Sequence, residues 1–381
     1  MLKKFEVKNY ANFKDTISID FSKVGGYHFS KDCISNQMIS KMLIYGRNAT
    51  GKTNLGKAVT DIRDTLILPG NQPVVFLNAD STAQKAEFRY TFQFGNDQLE
   101  YVYHKKDSVT LCYEALHVNQ SKIFSNSFFE DGWTLSLGQE LWDMGINKDR
   151  YEEVINDGGY LDNGRHGTLP FLRWLINNSA LPEDSILLKF YHHVRGMFML
   201  SLQTQATFAV KQAYGEFFKQ LYKDDSLKDL EDFLNAMGVN CQLELHPLPG
   251  DVIELYFKHS KPVPFIETAS SGTMALLSLY RRFYSLNHAT FMYIDEFDAF
   301  YHYEMSENMI SYLKHRFPEC QIILTTHNTN LMTNKIMRPD CLFILSTLGT
   351  LTPLCAATPR ELREGHNLEK MYISGEFADY E

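Results

Sequence analysis

The chain has 381 residues, 44% hydrophobic and 22% charged, with a formal net charge of -9 at pH 7. This is ordinary globular composition, long enough for two or three structural units around a sizeable core, and the acidic balance argues against a generally basic nucleic-acid coat. No apolar run approaches the roughly 20 residues of a membrane span, and the opening MLKKFEVKNY lacks the apolar core of a secretion signal, so a cytoplasmic protein without membrane contact is expected.

Residues 1–23, MLKKFEVKNYANFKDTISIDFSK, predict two strands joined by a turn. Phe5, Val7 and Tyr10 alternate roughly, and Ile17, Ile19 and Phe21 alternate strictly. Next comes IYGRNATGKTNLGKA, residues 44–58. Gly46 and Gly51-Lys52-Thr53 fit G-x-x-x-x-G-K-[ST], the P-loop pattern. Its glycines let backbone N–H groups curl around phosphates, Lys52 neutralises the outer phosphates, and the Thr53 hydroxyl is the expected Mg²⁺ ligand. Arg47 and Asn48 inside the loop, and Asn54 just after it, join the nucleotide-binding set. The apolar run MLIY, 42–45, predicts a buried strand before the loop, and 54–62 a helix whose positive end faces the anion.

The stretch 86–107, AEFRYTFQFGNDQLEYVYHKKD, predicts a hairpin turning at Gly95-Asn96-Asp97, and VTLCYEALHV continues that sheet. Residues from about 120 to 240 read largely as helix, with apolar helical spacing over 207–222 and over 227–238, where Gly238 suits a C-cap. Such a segment packs a small core of its own or offers a platform for a partner. QLELHPLPGDVIELYF then predicts a strand pair, and from 265 onward the chain reads as α/β. The six cysteines, Cys33, Cys112, Cys241, Cys320, Cys341 and Cys355, form no C-x-x-C pair, which argues against zinc and for reduced thiols.

Three features in the last third bear on chemistry. ETASSGTMALLSLY sets Ser270-Ser271-Gly272-Thr273 before a helix over 274–284, a good N-cap and a ready anion site. FMYIDEFD ends a buried strand in two carboxylates; Asp295 would hold Mg²⁺ through water, and Glu296 would polarise the attacking water as general base. CQIILTTHN ends another apolar strand in Thr325-Thr326-His327. In a doubly wound sheet such strand ends line the ligand crevice, so His327 is expected to sense the γ-phosphate. His302, in DAFYHYE, is open to a packing role or a site role.

The order P-loop, long insertion, S-S-G-T, apolar strand ending in D-E, then T-T-H resembles an ABC-type ATPase head of the SMC/RecF/OLD branch. Within that branch it is similar to the ATPase subunits of bacterial abortive-infection and phage-defence operons, PARIS-type and OLD-like systems among them. The likeness covers about 1–115 and 250–381, including the end ATPRELREGHNLEKMYISGEFADYE. It implies an α/β fold, a P-loop NTPase of the ABC-head type with an N-terminal antiparallel β-subdomain and a helical insertion. The corresponding division is 1–119, 120–241 and 242–381. It further implies that Ser270, Ser271 and Gly272 form the signature completing a partner subunit's site, that Asp298 lies in the loop joining two sites, and that His327 is the switch histidine. The chain departs from the pattern in having Met274 where many relatives have glutamine, and no glutamine fits the Q-loop well, Gln72 and Gln93 being weak candidates.

The resemblance implies a homodimer or higher oligomer that traps ATP and Mg²⁺ at head-to-tail interfaces and resets by hydrolysis, an ATPase acting as a switch in phage defence. No Toprim-type E…D-x-D constellation is visible, so an effector protein from the same operon, a Toprim-type nuclease or other toxin, is the expected partner. The alternative is a RecF/SMC-like clamp with a DNA contact on a basic groove of the assembled oligomer. A GTPase reading lacks its base-reading motif, since Asn147-Lys148-Asp149-Arg150 has no final Asp.

Overall fold

The computed structural model describes residues 1–67, 76–129, 132–139, 141, 146, 148–156, 160–161, 165–201, 211–299 and 302–381, with backbone alone for 160–161, 165–166 and 211–213. Leaving two-residue strands unnumbered, the strands are β1 (Leu2–Lys8), β2 (Ile17–Asp20), β3 (Lys41–Tyr45), β4 (Ala86–Phe94), β5 (Asp97–Lys105), β6 (Leu111–Val118), β7 (Ser121–Phe129), β8 (Gly132–Leu137) and β9 (Met197–Ser201). They continue with β10 (Leu243–Leu248), β11 (Val252–Phe257), β12 (Phe291–Asp295), β13 (Gln321–Thr326), β14 (Leu342–Leu345) and β15 (Leu351–Pro353). The principal helices are α1 (Lys52–Leu66), α2 (Lys148–Asn156), α3 (Phe171–Asn178), α4 (Ile186–Arg195), α5 (Lys211–Lys223), α6 (Leu227–Ala236), α7 (Ser271–Ser285), α8 (Tyr303–Arg316) and α9 (Leu368–Ile373).

Two sheets organise the chain. The first, in the order β8-β7-β6-β5-β4-β1-β2, is antiparallel throughout. The second, in the order β9-β12-β13-β3-β14-β15, is parallel except for its last pair. Every residue of β3, β12 and β13 is buried, which explains why these strands read as apolar runs instead of alternating. The antiparallel strands do alternate, as in β2 with its buried Ile17 and Ile19.

Helix α1 lies between the sheets and is buried on both sides. It packs on β9 and β12 of the parallel sheet. On the other side Tyr90 donates to the Ala58 carbonyl at 2.7 Å, and Lys105 and Tyr103 reach Asp61 at 2.7 and 2.8 Å. Ten of its fifteen residues are buried, Asp61 among them, so a buried carboxylate inside the helix finds its counter-charge on β5 and not in solvent. The sheets are joined again at Gln321, fully buried on β13, whose amide accepts from Leu2 N at 2.7 Å and donates to Leu2 O at 2.8 Å.

The segment 120–241, expected to be mainly helical, carries α2 to α6 and also supplies β7 and β8 to the antiparallel sheet and β9 to the parallel one. Helix α6 ends as its glycine suggests: Val239 N reaches Leu234 O and Gly238 N reaches Asn235 O, a Schellman closure. A buried glutamate fastens the start of α3 to the first sheet. Glu114, on β6, accepts from Phe171 N, from Tyr101 OH at 2.9 Å and from Asn126 Nδ2 at 3.4 Å. Burial pushes its carboxyl up to about 7. Lys148, Asp149 and Arg150 form the first turn of α2, while Asn147 lies outside the described residues. No described helix is long and apolar enough to cross a membrane.

Candidate nucleotide site

The site is built where the C-terminal ends of β3, β13 and β12 come side by side. In a parallel sheet all strands point the same way, so the loops following neighbouring strands gather at one edge. Here those loops are the P-loop, Thr325-Thr326-His327 and Asp295-Glu296.

Gly51 stands at the N-cap of α1 with φ +101, and Ala49 before it is also left-handed, at φ +64. This succession turns the loop so that its N–H groups line a concavity suited to an anion. Gly46 closes the other side. A Cβ there would lie 2.7 Å from Thr50 Oγ1 and 3.0 Å from Leu345 O, so a side chain would spread the cradle. Asn12 and Phe13, in the turn between β1 and β2, pack against Gly51, and Asn54 donates to Asn12 Oδ1. The sequence predicts this turn but gives it no part in the site, since its contact with Gly51 depends on residues some forty positions apart.

Lys52 is 5% exposed, and its ammonium donates to Gly46 O at 2.7 Å and Arg47 O at 3.0 Å. Burial pulls its pKa down, opposed by the charges of Glu296, Asp295 and Asp298. The ammonium therefore stands over the loop with part of its hydration stripped, as a phosphate-neutralising charge requires. Thr53 Oγ1 donates to Asp295 Oδ2 at 2.6 Å. This pair joins a hydroxyl and a carboxylate oxygen at the loop's edge, the hard oxygen donors that Mg²⁺ takes in company with phosphate and water. The residues present thus fit both a triphosphate and its cation.

His327 bridges the two halves. Its Nδ1 lies 3.4 Å from Lys52 Nζ and its Nε2 lies 3.3 Å from Glu296 Oε1. An ammonium only donates, so Nδ1 is the acceptor and Nε2–H points at the carboxylate. Glu296 itself has φ +46, a left-handed backbone that a non-glycine residue adopts only where its surroundings hold it. Asp298 accepts from Thr326 Oγ1 at 2.6 Å, and burial raises its pKa.

Gly46, Lys52, Thr53, Asp295, Glu296 and His327 therefore form one connected group. Asn48 lines the same depression as Gly46 and His327, with Tyr45, Thr329 and Tyr372. Arg47 lines it too, but its exposed guanidinium pairs at 2.8 Å with Glu381. Ser270, Ser271 and Gly272 stand apart at the start of α7. Ser270 caps that helix, its hydroxyl accepting from Thr273 N at 3.1 Å, and its hydrogen bonds stay within its own turn. Gln93 donates to Gly95 O at the β4–β5 turn, and Gln72 lies outside the described residues. His302 occupies the N-cap position of α8 with an exposed ring that makes no cap bond.

A contact absent from the sequence reading places α1. Tyr293, fully buried on β12, donates its hydroxyl to Lys52 O, and its ring lies against Gly56. A Cβ on Gly56 would come within 2.5 Å of Tyr293 Cδ1 and Cε1. Glycine here brings the helix that carries Lys52 and Thr53 directly onto the strand that carries Asp295.

Residues 41–333 match the family model described as "AAA domain, putative AbiEii toxin, Type IV TA system". Among solved structures, the chain is similar to an Smc head domain with a coiled coil and joint derived from Pyrococcus yayanosii, at 13% identity and TM-score 0.48, over 98% of this chain and 99% of that one. It is also similar to an Smc head domain with an extended coiled coil bound to the C-terminal domain of ScpA, derived from Pyrococcus furiosus, at 15% identity and TM-score 0.45, over 90% and 92%. A third is an SMC head domain from Thermotoga maritima, at 13% identity and TM-score 0.44, over 92% and 98%. No curated protein matches the chain in sequence.

Proposed function

The chain belongs to the AbiEii-type AAA domain family, and from that premise we propose that it is an ATP-gated switch that controls a separate effector in bacterial anti-phage defence. The observation that carries the reading is the junction of two hydrogen-bonded sets, Lys52–His327–Glu296 and Thr53–Asp295, side by side at adjacent parallel strand ends.

In this reading the backbone between Gly46 and Thr53 and the Lys52 ammonium bind the β- and γ-phosphates of ATP. Arg47, Asn48 and Asn54 complete the contacts around the loop. Thr53 and Asp295 would hold Mg²⁺, which when bound neutralises charge on the phosphates. Glu296 takes the proton of the attacking water, and His327 orients that carboxylate through Nε2–H. Such a site works by positioning and electrostatics.

Ser270, Ser271 and Gly272 are exposed or half-buried and hydrogen-bond only locally, so they are available to a second subunit. Two copies would pack head-to-tail, each offering its α7 N-terminus to the other's ATP, with Asp298 in the connecting loop. ATP then favours the assembled state because it makes contacts there that the free subunit lacks. Hydrolysis withdraws them and releases the effector, a toxin or nuclease encoded nearby.

The test is the mass of Glu296→Gln protein in solution, with and without ATP and Mg²⁺, measured by light scattering. This variant should bind ATP, barely hydrolyse it, and gain mass or lock an existing oligomer when ATP is present. Ser270→Asp in the same background should prevent that, because Asp caps a helix as well as Ser does and sets a negative charge where the phosphate arrives. Nucleotide-independent mass together with tighter binding of GTP than ATP would overturn the reading.

A further inference from the structure

Asp295 and Glu296 are held by a neighbour to which no motif draws attention. Strand β13 runs parallel to β12, and its register pairs Ile294 with Leu324, which sets Thr325 level with Asp295. Thr325 is fully buried. Its hydroxyl donates to Asp295 Oδ1 at 2.8 Å and accepts from Glu296 N at 2.8 Å. Its carbonyl accepts from Phe297 N at 3.3 Å. One threonine thus holds three consecutive residues of the acidic loop.

The two bonds of the hydroxyl do different things. Asp295 has its other oxygen on Thr53 Oγ1, so its carboxylate is gripped at both ends, by the P-loop helix and by β13. Rotation of the carboxylate would break one of the two bonds. The second bond satisfies the N–H of Glu296, which has left the sheet ladder to adopt φ +46. That backbone turn aims the Glu296 side chain at His327, two residues beyond Thr325 on the same strand end. Successive side chains of a strand point to opposite faces, and Thr326 reaches Asp298 from the other one. The loop from 295 to 298 therefore straddles the end of β13, pinned on one side by each threonine.

We propose that Thr325 is a positioning residue of this site, its hydroxyl setting the Asp295 carboxylate and the Glu296 backbone in the arrangement that hydrolysis needs. The inference rests on the nucleotide reading given above. The serine, threonine or aliphatic residue chosen at this position then tunes rate and Mg²⁺ demand without touching the nucleotide.

Thr325→Val keeps the shape and removes the hydroxyl; Thr325→Ser keeps the hydroxyl. Three readouts are needed: phosphate release against MgCl2 concentration, binding of a fluorescent ATP analogue in EDTA, and thermal unfolding. For the valine variant we expect kcat to fall about 10- to 100-fold and the Mg²⁺ demand to rise about tenfold, the scale seen when an outer-shell partner is lost. Binding in EDTA should stay within about twofold, since the phosphates meet the P-loop and not Thr325. The serine variant should recover most of the rate and the Mg²⁺ dependence. A valine variant with wild-type kcat, or a serine variant as slow as valine, overturns the proposal. Should Thr325→Val not fold, Thr325→Cys, a weak donor of nearly the same size, carries the same test: a slowed enzyme supports it and a wild-type rate overturns it. Glu296→Gln run in parallel separates the two readings. If that variant still hydrolyses ATP, the site assignment fails; if it is inactive while Thr325→Val is normal, only the role of Thr325 falls.

Discussion

Replacing Gly56 by alanine should cripple the proposed ATP hydrolysis while costing the fold at most about 2 kcal/mol. The new Cβ would lie 2.5 Å from two carbons of the Tyr293 ring, where ordinary contact begins at 3.4 Å, so something must move by about 1 Å. The third neighbour, Met199 Cε at 3.0 Å, is a flexible end and can swing away. The ring cannot, because it is fully buried and its hydroxyl is bonded to Lys52 O. Helix α1 must therefore lift off β12. Lys52 lies one helical turn before Gly56, so the lift carries Lys52 and Thr53 with it, and stretching the 2.6 Å bond from Thr53 to Asp295 by 1 Å abolishes it. Overpacking costs about 1–3 kcal/mol, and alanine regains about 1 kcal/mol of helix propensity over glycine. The net loss of stability is then about 0–2 kcal/mol, whereas a 1 Å misplacement of reacting groups costs on the order of a hundredfold in rate. The assay is phosphate release beside thermal unfolding, for Gly56→Ala and for Gly56→Ala/Tyr293→Leu, in which the smaller side chain restores room. Hydrolysis by the single variant within about threefold of the wild type, less than 1 kcal/mol of barrier, would refute the argument that this contact sets the helix.

Two further outcomes concern the frame around the site. Lys105→Met leaves the 1%-exposed Asp61 carboxylate without its cation, and should cost about 3–5 kcal/mol in urea unfolding; Asp61→Asn with Lys105→Met should cost less than the two single losses added, read as a double-mutant cycle. Glu114 gives a pH signature. Its folded pKa of about 7 stands above the ordinary 4.5, so the native state holds its proton longer than the unfolded chain does. Stability is therefore greatest below pH 4.5 for this group and declines as pH rises through 7, by about 3 kcal/mol in all. In Glu114→Gln, which keeps an acceptor for Phe171 N, that decline should vanish, and urea melts at pH 5 and 7.5 for both proteins measure the difference.

Much of the candidate site's assembly was legible because its parts are local. The P-loop, the apolar strand ending in Asp295-Glu296 and the strand ending in Thr325-Thr326-His327 each announce themselves within about ten residues, and β3, β12 and β13 form where their apolar runs predict. The hairpin of β4 and β5 was equally plain, from alternation on either side of a turn. What stayed hidden depends on partners far away in the chain. Nothing near Gly56 indicates that Tyr293 lies against it, and nothing near Asp61 names Lys105. MFMLS, which becomes β9, is a short apolar run that periodicity cannot divide between strand and helix; it becomes a strand because β12 pairs with it. β7 and β8 did leave a signal, since Trp133, Leu135 and Leu137 alternate strictly along β8, but it was overlooked between stretches that read as helix. Thr325 read as one member of a T-T-H string, and its two hydrogen bonds exist only once β12 lies beside it.

The same long reach has a consequence during synthesis. The Lys52–His327 contact spans 275 residues and the Thr53–Asp295 bond 242, and β3 finds both its neighbours, β13 and β14, only in the last part of the chain. A ribosome adding about 5–20 residues per second needs roughly 15 s to a minute to cover that distance. For all of that time the emerging P-loop has no acidic strand beside it, and its own strand has two open edges. An unfinished chain therefore cannot gather these groups, so the candidate site is completed only when the last third of the chain has emerged.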